Sequence, residues 1–254
     1  MNDDLNACAG IVEKGDPPRF RAVMSAPPTA REALFPLYAF NVEVARAPWV
    51  TSEPGIAEIR LQWWIDALGE IAGGGMVRRH EVVVPLALAI APEQAQALVP
   101  MVEARSRDIY SDPFADEDAL LRYLDVTSGG LLEVAAGVLG DGAGEAAKAA
   151  GRAQGVANWL LAVPALKAAG RQPLPDETEA GVARLAEAGL AALREARSAA
   201  RPNSVRPVFN VMAGVGRVLT LAKRQPERVL AATLEPAPLS AALALMRASV
   251  LGRW

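Results

Sequence analysis

The stretch Tyr38–Leu68, YAFNVEVARAPWVTSEPGIAEIRLQWWIDAL, decides the fold class. It reads as two apolar helices joined by a short break at Trp49–Pro54. In the first, Leu34, Leu37/Tyr38 and Asn41 recur at helical spacing and continue to Val44 and Ala45. Upstream, Thr29-Ala30-Arg31-Glu32 has the form of a capping box and predicts the helix start there. Pro36 is expected to bend this helix or to fall within its early turns. In the second, Ser52 is the expected cap, and Ile56, Ile59, Trp63 and Leu68 form the expected apolar stripe.

Working outward, nearly every other segment also has helical period. Asn2–Lys14 predicts a short helix ended by Gly15, and Asp16 caps a next one with Pro17 and Pro18 in its first turn. Gly73-Gly74-Gly75 reads as a connector, because no Gly-Lys-Ser/Thr follows to make a phosphate cradle. His80–Ile90 holds Val82-Val83-Val84, the one β-like run, and is read as a short buried helix. Pro92–Tyr110, Asp116–Leu139, Gly144–Ala168, Asp176–Ala199, Val208–Arg224, Pro226–Ala232 and Leu239–Leu251 complete the expected helices. Gly129-Gly130 falls inside one of them, at about 1 kcal/mol each relative to Ala, and implies close packing or room for a ligand. No repeat or long linker divides the chain, so residues 1–254 are expected to form a single all-α domain, a helical bundle.

Composition narrows the chemistry. Hydrophobic residues make up 52% and aromatics 5%, which fits an Ala/Leu/Val-rich helical protein. Cys8 and His80 are the sole residues of their kinds, which argues against disulfides and against zinc, haem or copper sites. His80 lacks the Gly-x-Ser-x-Gly elbow of a hydrolase triad. The acidic N-terminus argues against a signal peptide, and no apolar run is long enough to span a membrane, so a cytoplasmic location is expected. The net charge of −3 argues against nucleic acid as a partner. Residues 201–254 nevertheless hold eight Lys/Arg against two Glu. That excess is either solvated helix surface or a basic face toward an anionic membrane or partner.

Three stretches resemble the squalene/phytoene synthase family, all-α enzymes that join prenyl diphosphates head to head. They are Phe20-Arg21 with Leu37-Tyr38-Ala39-Phe40, Arg60–Leu68, and Gly151–Pro175 (GRAQGVANWLLAVPALKAAGRQPLP). The last is similar to the family's Gly-x-Ala-x-Gln-Leu-x-Asn-x-x-Arg-Asp-x-x-x-Asp helix and its Gly-Arg-x-x-Leu-Pro loop. The resemblance implies the isoprenoid synthase type of fold. It also implies Mg²⁺ held by two aspartate-rich motifs, which would steady the leaving diphosphate.

Those carboxylates are replaced here. The Asp-Asp-x-x-Asp positions fall on Ala45, Arg46 and Trp49, and the Arg-Asp-x-x-x-Asp positions fall on Leu161, Ala162 and Leu166. No catalytic residue and no metal ligand is therefore assigned, and Mg²⁺ is expected only if an atypical active site exists. Tyr38, Asn41, Trp63, Trp64, Tyr123 and Asn158 are the candidates for lining a relic cavity, each with a structural role as the alternative. Trp63 and Trp64 are neighbours in a helix and point about 100° apart, so one belongs in the core and the other near a surface or cavity. Arg171 is expected to anchor the loop before Leu174-Pro175.

Three functions follow from the resemblance. One is a non-catalytic role in respiratory complex assembly, since Arg-Leu-Gln-Trp-Trp and the ending Leu251-Gly252-Arg253-Trp254 are similar to the mitochondrial complex I assembly branch of the family. Its partners would be a respiratory-complex subunit or the membrane surface, with a peripheral position at the inner membrane. The second is isoprenoid or lipid binding. The third is a prenyl transferase using an unusual carboxylate set such as Glu43 with Asp125 or Glu133.

Overall fold

A computed structural model describes residues 3–234, 238–252 and 254. All regular structure among them is helical. The helices are α1 Asp3–Gly15, α2 Pro17–Met24, α3 Pro28–Arg46, α4 Pro54–Ala72, α5 Val83–Ala89, α6 Pro92–Ala104, α7 Glu117–Leu124, α8 Gly130–Leu139 and α9 Gly144–Ala168. They continue with α10 Glu179–Ser198, α11 Val215–Arg224, α12 Glu227–Leu230 and α13 Pro238–Leu251. The expected helix start at Asn2 and the Arg253 of the expected ending lie outside the described residues.

α3 is the hub of the N-terminal half and packs on α1, α2, α5 and α8. Leu34, Phe35, Leu37, Tyr38, Ala39 and Phe40 are all buried, so the helix is apolar on nearly every side, as a central helix must be. α9 is the hub of the C-terminal half and packs on α8, α10 and α11. α8 touches both hubs and joins the two halves.

Local chemistry moved several boundaries from their expected places. α3 starts at Pro28, not at a capping box: the Pro27 carbonyl accepts from the Ala30 and Arg31 N–H groups, and Thr29 falls inside the first turn. α4 likewise starts at Pro54 with Glu53 before it, while the Thr51 hydroxyl accepts the Glu53 N–H at 3.1 Å; Ser52 is not the cap. In both helices a proline at the first position presets the backbone and needs no N–H partner. α10 is capped by Thr178, whose hydroxyl accepts the Gly181 N–H at 3.1 Å, rather than beginning at Asp176. The segment expected as Pro92–Tyr110 stops being α-helical at Ala104 and tightens into a 3₁₀ turn over Arg105–Asp108.

The expected stripe of α4 is also corrected. Ile56 and Ile59 are 41% and 70% exposed, and the buried set is Ala57, Leu61, Trp64, Ala67, Leu68 and Ile71. The sequence offers two overlapping apolar arcs, and packing against α6 selects the second. Toward the C-terminus, the helix expected over Val208–Arg224 is two elements. A 3₁₀ segment Asn203–Met212 is followed by Gly214 at φ +86°, a left-handed turn that leads into α11.

The expected long helix 116–139 is continuous only through a π turn at Asp125–Gly129, where the Thr127 hydroxyl donates to the Tyr123 carbonyl at 2.7 Å. This turn lies directly on α9. A methyl group on Gly151 would stand 2.5 Å from the Ser128 carbonyl oxygen and 2.6 Å from Gly129 Cα. Close packing is thus required at Gly151, while a methyl on Gly129 would meet nothing closer than the Lys148 carbonyl oxygen at 3.6 Å. Gly130 by contrast has nothing within 4 Å of such a methyl. Gly151→Ala is therefore expected to destabilise the fold by about 1–3 kcal/mol. Gly130→Ala is expected to be neutral or stabilising by up to about 1 kcal/mol. Thermal denaturation of the two variants measures the contrast, and equal melting temperatures would contradict the packing described.

Candidate functional site

The six positions assigned to metal motifs do not face one common space. Trp49 and Leu166 meet at a cavity of only about 40 Å³. Trp49 ends the 3₁₀ turn Ala47–Trp49 after α3, and the Arg171 guanidinium lies 4.7 Å from its ring centroid. Arg171 also donates to the Asp108 carbonyl at 2.9 Å, so it anchors its loop across two other elements. Beside them Phe114, Tyr123 and Trp159 stand edge to face, with centroids 5.5–5.7 Å apart. The Trp159 indole N–H donates to the Pro173 carbonyl at 2.9 Å. The Tyr123 hydroxyl donates to Asp108 at 2.7 Å and accepts from Arg105 at 2.7 Å. Stacked rings and hydrogen-bonded polar groups thus fill this junction, with Arg105 Nε the one buried polar atom among them left without a partner. A space of this size holds a few waters, whereas small-molecule pockets run to about 300–1,000 Å³.

Leu161, Ala162 and Asn158 line a different cavity, of about 620 Å³, between α2, α9, α11 and the start of α13. Asn158 is exposed to this space rather than buried, as the helix turns it away from the core. Ala157, Val215 and Val218 make the wall apolar, and Arg21 and Arg217 stand on it. Arg19 closes its inner end. This side chain is 7% exposed, pairs with Asp16 at 3.0 Å, and donates to Gln154 Oε1 at 3.2 Å. Gln154 in turn donates to the Val211 carbonyl at 3.2 Å. The guanidinium lies 4.9 Å from the Tyr38 ring centroid. Arg19 Nε and the Tyr38 hydroxyl both lack a hydrogen-bond partner. Tyr38 is fully buried and lines none of these cavities; Asn41, also buried, lines none either.

The third space, about 340 Å³, is a groove beside α4. Trp63 and Trp64 both line it, Trp64 buried and Trp63 half-buried, in edge-to-face contact with centroids 4.9 Å apart. Arg46 stands exposed at its edge and pairs with Glu43 at 3.0 Å, and Ala45 is half-buried next to it.

Mg²⁺ clustered on a diphosphate needs several oxygens converging on one point. Among the described residues no three of His, Cys, Asp and Glu converge in that way. Of the unusual set considered from sequence, Glu43 takes Arg46, Asp125 accepts from Nε and Nη2 of Arg152, and Glu133 takes Lys148 at 3.1 Å. Each carboxylate is held by its own cation and the three do not converge, so these residues do not fit the metal cluster.

Residues 12–246 match the family described as Squalene/phytoene synthase. The chain belongs to the squalene/phytoene synthase family. A crystal structure of a dehydrosqualene synthase in complex with ligand superposes with a TM-score of 0.81, covering 99% of this chain and 98% of that one at 14% identity. Squalene synthase HpnC from Alicyclobacillus acidocaldarius gives a TM-score of 0.70, covering 89% and 95% at 19% identity. At such identities these two structures establish the isoprenoid synthase fold alone. Among curated relatives, the NADH dehydrogenase (ubiquinone) complex I, assembly factor 6 homolog of Drosophila melanogaster is 32% identical over 178 residues, 66% of this chain and 52% of its own. The human complex I assembly factor 6 is 26% identical over 162 residues, 62% and 48% of the two chains. This squalene/phytoene synthase family member thus spans about half the length of the curated relatives it matches.

Sequence reading missed Arg19, Gln154, Arg105 and Asp108 as members of these sites. The Asp16–Arg19 pair was available as an i, i+3 spacing on α2. The Arg19–Gln154 bond spans 135 residues and left no local signal.

The tyrosines give a direct test of the burial described. Burial pushes the Tyr38 hydroxyl up to about 12 and Tyr123 upward as well, and the hydrogen bond to the Glu58 carboxylate raises Tyr110. In the unfolded chain all three titrate near 10. A raised pKa favours the protonated form in the fold, so this contribution to stability is whole below about pH 10. It is lost as the pH climbs from there toward 12. The expected result is that at about pH 10, where denatured protein is half ionised, native protein shows clearly less tyrosinate ultraviolet absorbance, because Tyr38 and Tyr123 stay protonated. Matching titration curves would contradict the buried placement of Tyr38 and Tyr123.

Proposed function

We propose that this chain is a non-catalytic member of its family that acts through protein contacts in the assembly of respiratory complex I. The observation that carries the reading is the junction of Trp49 and Leu166. Two positions where the family resemblance calls for carboxylates hold an indole under Arg171 and a leucine, with about 40 Å³ between them. Ala45, Arg46, Leu161 and Ala162 complete the substitution with groups that carry no negative charge. Asp108 and Asp112 stand at this junction, but Asp108 is held by Arg105 and Tyr123, and among the described residues no three carboxylates converge to hold a metal, so on this reading the ionisation step loses its stabiliser. The curated relatives named as complex I assembly factor 6 support the direction of the reading. On this reading the partner is a respiratory-complex subunit, met at the cytoplasmic surface of the inner membrane without any need for Mg²⁺. Among the described residues no helix is long and apolar enough to cross a membrane.

A second reading, isoprenoid or lipid binding, is favoured by one observation. The cavity of about 620 Å³ has an apolar wall and three arginines, the layout that suits an apolar chain with an anionic head. On that reading native mass spectrometry of the purified protein would find a retained lipid, and Leu161→Trp would expel it.

Two measurements test the main reading. Deleting the gene is expected to lower the amount of assembled NADH:quinone oxidoreductase on native gels, with restoration by the wild-type gene; normal assembly would overturn the role. Purified protein given Mg²⁺ and farnesyl or geranylgeranyl diphosphate is expected to release no diphosphate. Turnover on the order of 1 s⁻¹, within the usual range for enzymes, would overturn the non-catalytic assignment.

A further inference from the structure

α13 is out of keeping with the rest of the surface. Leu243, Met246, Val250 and Leu251 are 57%, 56%, 69% and 58% exposed, and their spacing of three, four and one sets them along one side of the helix. Ala248, on another side, is buried, and the helix is seated on the 3₁₀ segment Asn203–Met212. Its only charged residue is Arg247. A surface helix would ordinarily turn polar residues to water.

The arginines around it form the second observation. Arg197, Arg217 and Arg247 line one groove of about 270 Å³ between α10, α11 and α13, with Trp254 at its side. Arg206 donates to the Val250 carbonyl at 2.9 Å, and the Arg201 guanidinium lies 4.8 Å from the Trp254 ring centroid. Trp254 stacks on Phe209 at 5.5 Å. Elsewhere Arg19, Arg46, Arg78, Arg105, Arg152 and Arg184 each take a carboxylate. Among the described residues, none of the five arginines around α13 has an Asp or Glu carboxylate within ion-pair distance, and Arg197 donates to the Trp254 backbone oxygen. Like charges gathered without counter-charges repel one another, and an anionic surface outside the molecule relieves that repulsion.

We propose that the exposed side of α13, with the arginine groove beside it, is a docking surface for a membrane containing anionic phospholipids. The apolar side chains would enter the headgroup boundary, and Arg197, Arg217 and Arg247 would meet lipid phosphates. Fourteen residues of helix extend about 21 Å, which suits a helix lying in the plane of the interface rather than across the bilayer. Nucleic acid would use the arginines and leave four apolar side chains in water. A lipid surface satisfies both features with one partner. The inference deepens the membrane position in the reading above and rests on that part of it.

The test is flotation of the full chain with vesicles of phosphatidylcholine alone or mixed with phosphatidylglycerol. Wild-type protein is expected to float with the mixed vesicles, to stay behind with the neutral ones, and to be released by high salt. Arg217→Glu combined with Arg247→Glu, and separately Leu243→Gln combined with Val250→Gln, are each expected to weaken the binding at least about tenfold while circular dichroism stays unchanged. Equal binding to neutral vesicles, no binding at all, or full binding by either variant pair would overturn the proposal. Light scattering that finds a dimer in the wild type and a monomer in the Leu243/Val250 variant would overturn it too, assigning the face to a second copy. If vesicle binding fails while the deletion strain lacks complex I, the docking surface alone falls. If binding holds and complex I is normal, the assembly role alone falls.

Discussion

The contact between α9 and the π turn is backbone on backbone. Gly151 brings α9 so close to Ser128 and Gly129 that no side chain fits between them. Gly155 extends the approach one turn further, where a methyl would stand 3.0 Å from the Ser128 side chain. Helix pairs ordinarily keep 8–10 Å between axes because side chains separate them. With glycine at the crossing, α9 settles inward and carries Gln154, Trp159 and Leu166 with it. Each of the three then reaches a partner on another element: Arg19 and Val211, Pro173, and the Trp49 junction. The extra residue of the π turn supplies the matching surface, so the two irregularities are one packing solution.

That placement divides the interior chemically. On one side, Trp49, Phe114, Tyr123 and Trp159 close the space between the ends of α3 and α9, and Arg171 covers the indole of Trp49. A cation over an aromatic face is attracted by the ring quadrupole, so Arg171 locks the closure. On the other side the same face of α9 opens onto the larger cavity past Asn158 and Leu161. The buried Arg19 lines that larger cavity. Its charge is tolerable because Asp16, Gln154 and the Tyr38 ring surround it, and breaking such a set leaves an uncompensated buried charge.

Much of this was legible in the residues. Asp16 does cap α2, accepting the Arg19 N–H at 3.1 Å, because Asp followed by two prolines admits little else. The glycine run at 73–75 does connect two helices, and Val82-Val83-Val84 does enter a short helix although the run is β-branched; that helix is buried on one side only, with Leu88 exposed. The all-α class followed from period and composition, and family membership followed from motifs spread along the chain. The site was less legible. Asn158 and Tyr38 were both candidates for lining a cavity; Asn158 stands exposed on one, and Tyr38 is sealed in the core. Both residues sit on helices buried on most sides, where the sequence pattern does not say which direction is open.

The sequence by itself determined the all-α class, the order of most helices, and which residue types occupy the positions where carboxylates would be expected. Those follow from local rules: hydrophobic period, proline and glycine geometry, and side-chain charge. Tertiary structure alone decided which apolar arc of α4 turns inward, that the two motif regions are split among three separate spaces, and that Arg19 bonds to Gln154 across 135 residues. The physical reason is that these outcomes depend on how closely two distant backbones approach. That distance is set at a glycine whose neighbours are remote in sequence.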